Sequence, residues 1–165
     1  MGRWKPPAEK SSPYITPAGF TVLEEELKAL WLRRRDVVKA LAAAAAEGDR
    51  SENAEYHYRK KELGAIDRRI HYLQKRLPDL TVVRESPKTN KVFFGAWITL
   101  ESDSDGTEVT YRIVGADEAE PGNRKISMDS PLAKVILNKT LDDDITITKD
   151  GKPQVFCITG IRYSE

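Results

Sequence analysis

Ala40-Leu41-Ala42-Ala43-Ala44-Ala45-Ala46-Glu47-Gly48-Asp49-Arg50-Ser51-Glu52-Asn53-Ala54-Glu55-Tyr56 is the stretch that decides the fold. It opens on an alanine run with the strongest helix propensity available and side chains small enough for close helix approach. Gly48 then supplies a stop. Upstream, Leu23, Leu30, Val37 and Ala44 recur every seven residues, with Leu27 and Leu41 in a second series that Arg34 interrupts. Downstream, Tyr56, Leu63, Ile66, Ile70, Leu73 and Leu77 make another stripe at spacings of three and four. A stripe of this period buries against a partner helix. The link between the two is short, so the helices must be antiparallel neighbours. Pairing outward from the turn sets Ala44 near Tyr56, Val37 near Leu63, Leu30 near Ile70 and Leu23 near Leu77. Thr16-Pro17 reads as the start of the first helix and Pro78 as the end of the second. Residues 16–78 are therefore expected to form a helical hairpin whose arm, at 1.5 Å per residue, reaches roughly 40 Å.

On either side of the hairpin the pattern changes. Residues 1–15 carry prolines, serines and charges and read as a disordered arm. Beyond Pro78, residues 80–83, Val92 to Leu100, Glu108 to Val114, Ile145 to Thr148 and Val155 to Tyr163 are rich in β-branched and aromatic residues and read as strands. Asp105-Gly106 and Asp150-Gly151 are hairpin-turn signals. Ser130-Pro131 caps a short helix, Leu132 to Lys139. The expected class is α+β: a helical hairpin followed by a small antiparallel sheet with one helix over residues 79–165.

The 165 residues include 27 basic and 26 acidic side chains, for a net charge of +1. Overall charge therefore does not point to nucleic acid, and only local clusters could. The single cysteine, Cys157, excludes an intramolecular disulfide and fits a reducing, cytoplasmic setting. It lies in an apolar run and reads as a small buried hydrophobe. The start lacks the apolar segment of a signal peptide, and Ala40 to Ala46 is too short to cross a membrane.

At the turn, Asp49 and Glu52 have two readings. Their spacing is that of a capping box, with Asp49 capping the second helix and Glu52 reaching back. They are also two carboxylates at the end of a long arm. Mg²⁺ keeps its waters and usually takes several oxygens, some from substrate phosphate, so this pair makes half of a metal site. Behind the tip lie Arg59, Lys60 and Lys61, the lysines about 12 Å down the hairpin from Glu52 by helical rise. Arg33, Arg34 and Arg35 lie further back. These cations read as a solvated helix face or as a stripe that follows a phosphate backbone. Asp103-Ser104-Asp105-Gly106 lacks the rest of a calcium loop and reads as a turn.

Gly48 through Tyr56 resembles the tip of the bacterial Gre transcript-cleavage factors. Val92-Phe93-Phe94-Gly95-Ala96-Trp97 and Ile126-Ser127-Met128-Asp129-Ser130-Pro131-Leu132-Ala133 resemble the C-terminal domain of the same family. Leu30-Trp31, Lys60-Lys61 and Ile66-Asp67-Arg68-Arg69 are similar to its GreB branch. The resemblance spans about residues 14–163, and its separate motifs fall in the family's order. It implies an FKBP-like C-terminal domain that docks on RNA polymerase, with Asp129, Ser130 and Pro131 on the contacting surface. It implies a coiled coil that threads the polymerase secondary channel. Asp49 and Glu52 would then help hold an Mg²⁺ shared with the polymerase active site, and Arg59, Lys60 and Lys61 would contact the 3′ end of the nascent RNA. The cleavage would be the polymerase's own activity, stimulated, by a factor that is cytoplasmic, not membrane-bound and monomeric when free. Two other readings stay open at this point: a regulator that enters the same channel without stimulating cleavage, and a peptidyl-prolyl isomerase, suggested by the fold likeness alone.

Overall fold

The structure is a computed structural model that describes residues 9–49 and 52–164. It divides into two compact units: Ala18–Leu80, and Met1–Pro17 together with Thr81–Glu165.

The first unit is the helical hairpin. Helix α1 runs Pro17–Ala46 and helix α2 runs Ala54–Arg76, followed by a 3₁₀ turn at Leu77–Asp79. The heptad reading holds. Val37, Ile66 and Ile70 form a buried cluster, with Leu27, Leu30 and Leu63 packed on it. Ala44 near the turn, and Leu23 and Leu73 near the other end, are also buried. Polar pairs flank this seam and lock its register. Arg33 bonds Glu62 at 2.6 Å, and Arg34 bonds Asp67 at 2.7 Å. Arg69 grips both carboxylate oxygens of Glu26, at 2.6 and 2.9 Å. The fork geometry of that last pair adds directionality as well as energy. Arg34, which breaks the apolar series, is accommodated because its long stem carries the charge out to Asp67. At the end of α2, Lys75 and Arg76 in the last turn suit the negative end of the helix dipole.

In the second unit a five-stranded sheet has the order β5-β4-β3-β7-β6. Its strands are β3 (Trp97–Ser102), β4 (Glu108–Val114), β5 (Lys125–Ser127), β6 (Asp144–Lys149) and β7 (Lys152–Arg162), with α3 (Pro131–Ile136) after β5. Neighbours are antiparallel except β4 and β5, which are parallel. The core is Val92, Ala96, Ile98, Leu100, Ile113, Ala133, Ile136, Ile145 and Ile158. Each fully buried isoleucine or leucine here contributes about 1.5–3 kcal/mol over leaving it exposed. The β6–β7 turn has positive φ at both Asp150 (52°) and Gly151 (74°), the backbone a tight two-residue hairpin requires.

Several elements differ from the sequence expectation. The strand expected from Val92 begins only at Trp97, because Gly95 at φ 85° turns the chain and the Ala96 N–H bonds back to the Phe93 carbonyl. Helix α3 stops at Ile136, with Asn138 in the left-handed region. Strand β5 was not anticipated. The expected disordered arm is corrected over the part nearest the hairpin, while residues 1–8 lie outside the described residues. Tyr14–Ile15 form strand β1, parallel to β2 (Thr81–Val82). Thr81 N–H donates to the Pro13 carbonyl at 2.8 Å and Val83 N–H to the Ile15 carbonyl at 2.9 Å. Ile15 is fully buried, and both the N–H and the hydroxyl of Thr16 donate to the Glu118 carboxylate at 2.7 Å. One apolar anchor and these bonds outweigh the loose composition around them.

Candidate functional site

The tip begins where α1 runs out of backbone donors for its last carbonyls. Ala44 O receives the Glu47 N–H at 3.3 Å and the side-chain amide of Asn53 at 2.7 Å. Gly48, at φ 116°, then reverses the chain. Asn53 has extended backbone, and its side-chain oxygen accepts the Tyr56 N–H at 3.0 Å, so it is the N-cap of α2. The capping-box reading of Asp49 and Glu52 is thereby corrected. Both acids precede the cap and are exposed, while Arg50 and Ser51 between them lie outside the described residues. Asn53 is the residue the sequence reading passed over. Its signal was available, since asparagine directly before Ala54-Glu55-Tyr56 is a preferred cap.

Two exposed carboxylates at a turn are chemically suited to half of a divalent-cation site and insufficient for a whole one. Among the described residues, no group of three or more His, Cys, Asp or Glu side chains converges as a metal cage.

Further along α2, Lys60 and Lys61 are exposed. The Lys60 ammonium lies 6.0 Å from the Tyr56 ring, a loose cation–π contact. Arg59 is engaged otherwise. It bonds Glu55 at 2.8 Å and Glu62 at 3.0 Å, and the Glu55 bond, followed by the Glu62 bond, raises its pKa. Glu62 is held below the usual carboxylate range by its bond to Arg33 and then by Arg59. Arg33 and Arg34 are likewise spent on tying the helices together. Lys60, Lys61 and the exposed Arg35 therefore present their charge outward.

In the sheet unit, Asp129, Ser130 and Pro131 form the entry to α3. Ser130 caps that helix, accepting the Ala133 N–H at 3.2 Å, and Pro131 sits exposed at its first turn. Asp129 is held by the N-terminal segment: the Ser12 N–H donates to it at 2.8 Å and the Ser12 hydroxyl bonds its other oxygen. That contact, across more than a hundred residues of sequence, carried no local signal. Cys157 is half-buried, and burial, then Asp144, pushes its thiol pKa up, which suits a packing residue rather than a nucleophile.

Residues 13–82 match the family described as transcription elongation factor, N-terminal, and residues 86–163 match transcription elongation factor, GreA/GreB, C-term. The chain belongs to the GreA/GreB family of transcription elongation factors. Within it, the transcription elongation factor GreB of Xanthomonas axonopodis pv. citri is 53% identical, over 99% of this chain and 99% of the relative. GreB of Pseudomonas aeruginosa is 47% identical, over 99% and 98%. Among solved structures, the GreA factor homolog Gfh1 of Thermus thermophilus is 23% identical, covering 90% of this chain and 97% of its own, with a TM-score of 0.42. Among the described residues, no helix is long and apolar enough to cross a membrane.

Proposed function

We propose that this chain is a transcript-cleavage factor of the GreB type. It docks on bacterial RNA polymerase through the surface around Asp129, Ser130 and Pro131 and passes its hairpin through the secondary channel. At the tip, Asp49 and Glu52 supply carboxylate oxygens to an Mg²⁺ shared with the polymerase active site and orient the water that attacks the RNA. In such a two-metal site one bound Mg²⁺ would activate the attacking water and the other would stabilise the leaving oxygen. Lys60 and Lys61 meet the phosphates of the extruded 3′ RNA, and Arg59 braces that patch through Glu55 and Glu62. The phosphodiester cleavage remains the polymerase's, so the free chain has no activity of its own. It works in the cytoplasm as a monomer.

The observation that carries this reading is the placement of Asp49 and Glu52: exposed, ahead of the helix cap, at the end of a hairpin braced by cross-helix ion pairs. Membership of the GreA/GreB family supports it. The test is release of 3′ RNA fragments from a backtracked elongation complex. The Asp49→Ala, Glu52→Ala double variant should lose about 10²–10³-fold in release rate, the usual cost of removing a preorganised charged group from a transition state. It should still bind polymerase. Full release by the double variant would overturn the tip mechanism. Tight polymerase binding by the unaltered chain without fragment release would make it a channel-binding regulator instead.

A further inference from the structure

We infer that Asn53 is a positioning residue for the tip acids, acting through the hydrogen bonds that close the turn rather than through contact with RNA or metal. This rests on the reading of Asp49 and Glu52 as half of a metal site. Asn53 uses both halves of its side-chain amide. Its oxygen takes the Tyr56 N–H at 3.0 Å, and its nitrogen donates to the Ala44 carbonyl at 2.7 Å. A backbone N–H must donate and a carbonyl must accept, so only one orientation of the amide satisfies both partners. The Asn53 carbonyl in turn accepts the His57 N–H at 3.2 Å, which fixes its backbone as well. Ala44 is buried and Asn53 half-buried, so the bond between them is partly shielded from water.

Capping alone does not account for asparagine here. Aspartate and serine cap a helix about as well as asparagine does. Neither can cap α2 and also donate across to α1: aspartate has no donor, and a serine hydroxyl is too short to reach both partners. The amide therefore joins the last buried turn of α1 to the first turn of α2. Asp49 and Glu52 both lie in the segment it closes, and Glu52 is its immediate neighbour. With that bond present, the carboxylates enter the polymerase on a turn held at both ends.

The test compares Asn53→Ser and Asn53→Asp with the unaltered chain in the cleavage assay, varying factor and Mg²⁺ concentrations separately. Both variants keep the cap and lose the donation to Ala44. The half-saturating factor concentration should stay within about two-fold, while maximal release falls about ten-fold, in line with the sensitivity of catalysis to ångström-scale misplacement. The half-saturating Mg²⁺ concentration should rise several-fold, and added Mg²⁺ should restore part of the rate. A purely structural role would instead lower the melting temperature of the helices and the apparent affinity, leaving the Mg²⁺ curve in place, and would overturn the inference. So would wild-type rates and Mg²⁺ dependence in both variants. The Asp49→Ala, Glu52→Ala variant runs alongside. If it is inactive while the Asn53 variants behave as wild type, only the positioning role fails. If it is active, the tip reading fails and takes this inference with it.

Discussion

Gly115 shows how one residue can govern a distant one. A Cβ at this position would lie 2.1 Å from the Tyr14 carbonyl oxygen and 3.1 Å from its carbon. The requirement is close backbone approach, not backbone freedom, and the atoms met are main chain and cannot swing aside. Gly115→Ala should therefore push strand β1 off its seat beside β2. Forcing extra atoms into a packed site costs about 1–3 kcal/mol. The expected result is a melting temperature several degrees lower, with faster proteolysis between residues 9 and 16. An unchanged melt would mean that the Tyr14 segment repacks freely. Such a glycine is invisible in sequence, because its reason is a neighbour a hundred residues away. Asn53 was missed for a different cause. Its local signal existed, but the Asp49 and Glu52 spacing satisfied a competing capping pattern, and only the backbone geometry separates the two.

Among the elements, the hairpin was legible because its signal is local. A seven-residue period in each helix, together with a short link, determines both the partner and the register, and the buried set of Val37, Ile66 and Ile70 follows that register. The sheet was legible where strands are long and turns are marked, as at Asp150-Gly151. It was not legible at β1 and β5, which are two and three residues long and exist only through pairing with distant partners. Of the basic residues, sequence could not tell that Arg33 and Arg34 are paired, since they find carboxylates only once the helices are side by side, whereas Arg59 pairs within α2 with Glu55 and Glu62 at spacings of four and three. Those ion pairs carry a pH signature. Glu62 is depressed by Arg33 first and Arg59 next. Its stabilising contribution is present above its ordinary value of 4.5 and is lost as pH falls through the lower folded value. Helical signal followed by circular dichroism should accordingly melt at lower temperature in acid. Glu62→Gln should be slightly less stable than the unaltered chain at neutral pH and should lose part of that acid dependence. The difference will be small and should shrink in high salt, because the pair is exposed and screened. Parallel curves for the two proteins would remove Glu62 from the account.

At the scale of the whole molecule, the hairpin is an insertion into the sequence of the other unit. The segment Ser12 to Thr16 belongs with residues 81–164: it pairs with β2, its Thr16 bonds Glu118, and its Ser12 holds Asp129. The sheet unit is thus assembled from both ends of the chain, and a fragment starting after the hairpin lacks part of its fold. A chain lacking residues 1–16 should keep the helical signal of the hairpin, whose core of Val37, Ile66 and Ile70 lies wholly within the retained residues. Its sheet unit should unfold earlier. Loss of the fully buried Ile15 alone removes about 1.5–3 kcal/mol of burial, before the lost hydrogen bonds are counted. In a Trp4→Phe, Trp31→Phe background, the near-ultraviolet signal of Trp97 in β3 reports that transition separately from the helices. If Asp129 also serves docking as proposed, freeing it from Ser12 alters the same surface, and polymerase affinity should fall together with the sheet's stability. A truncated chain whose Trp97 signal melts with the full-length protein would show that the N-terminal segment decorates the unit without supporting it.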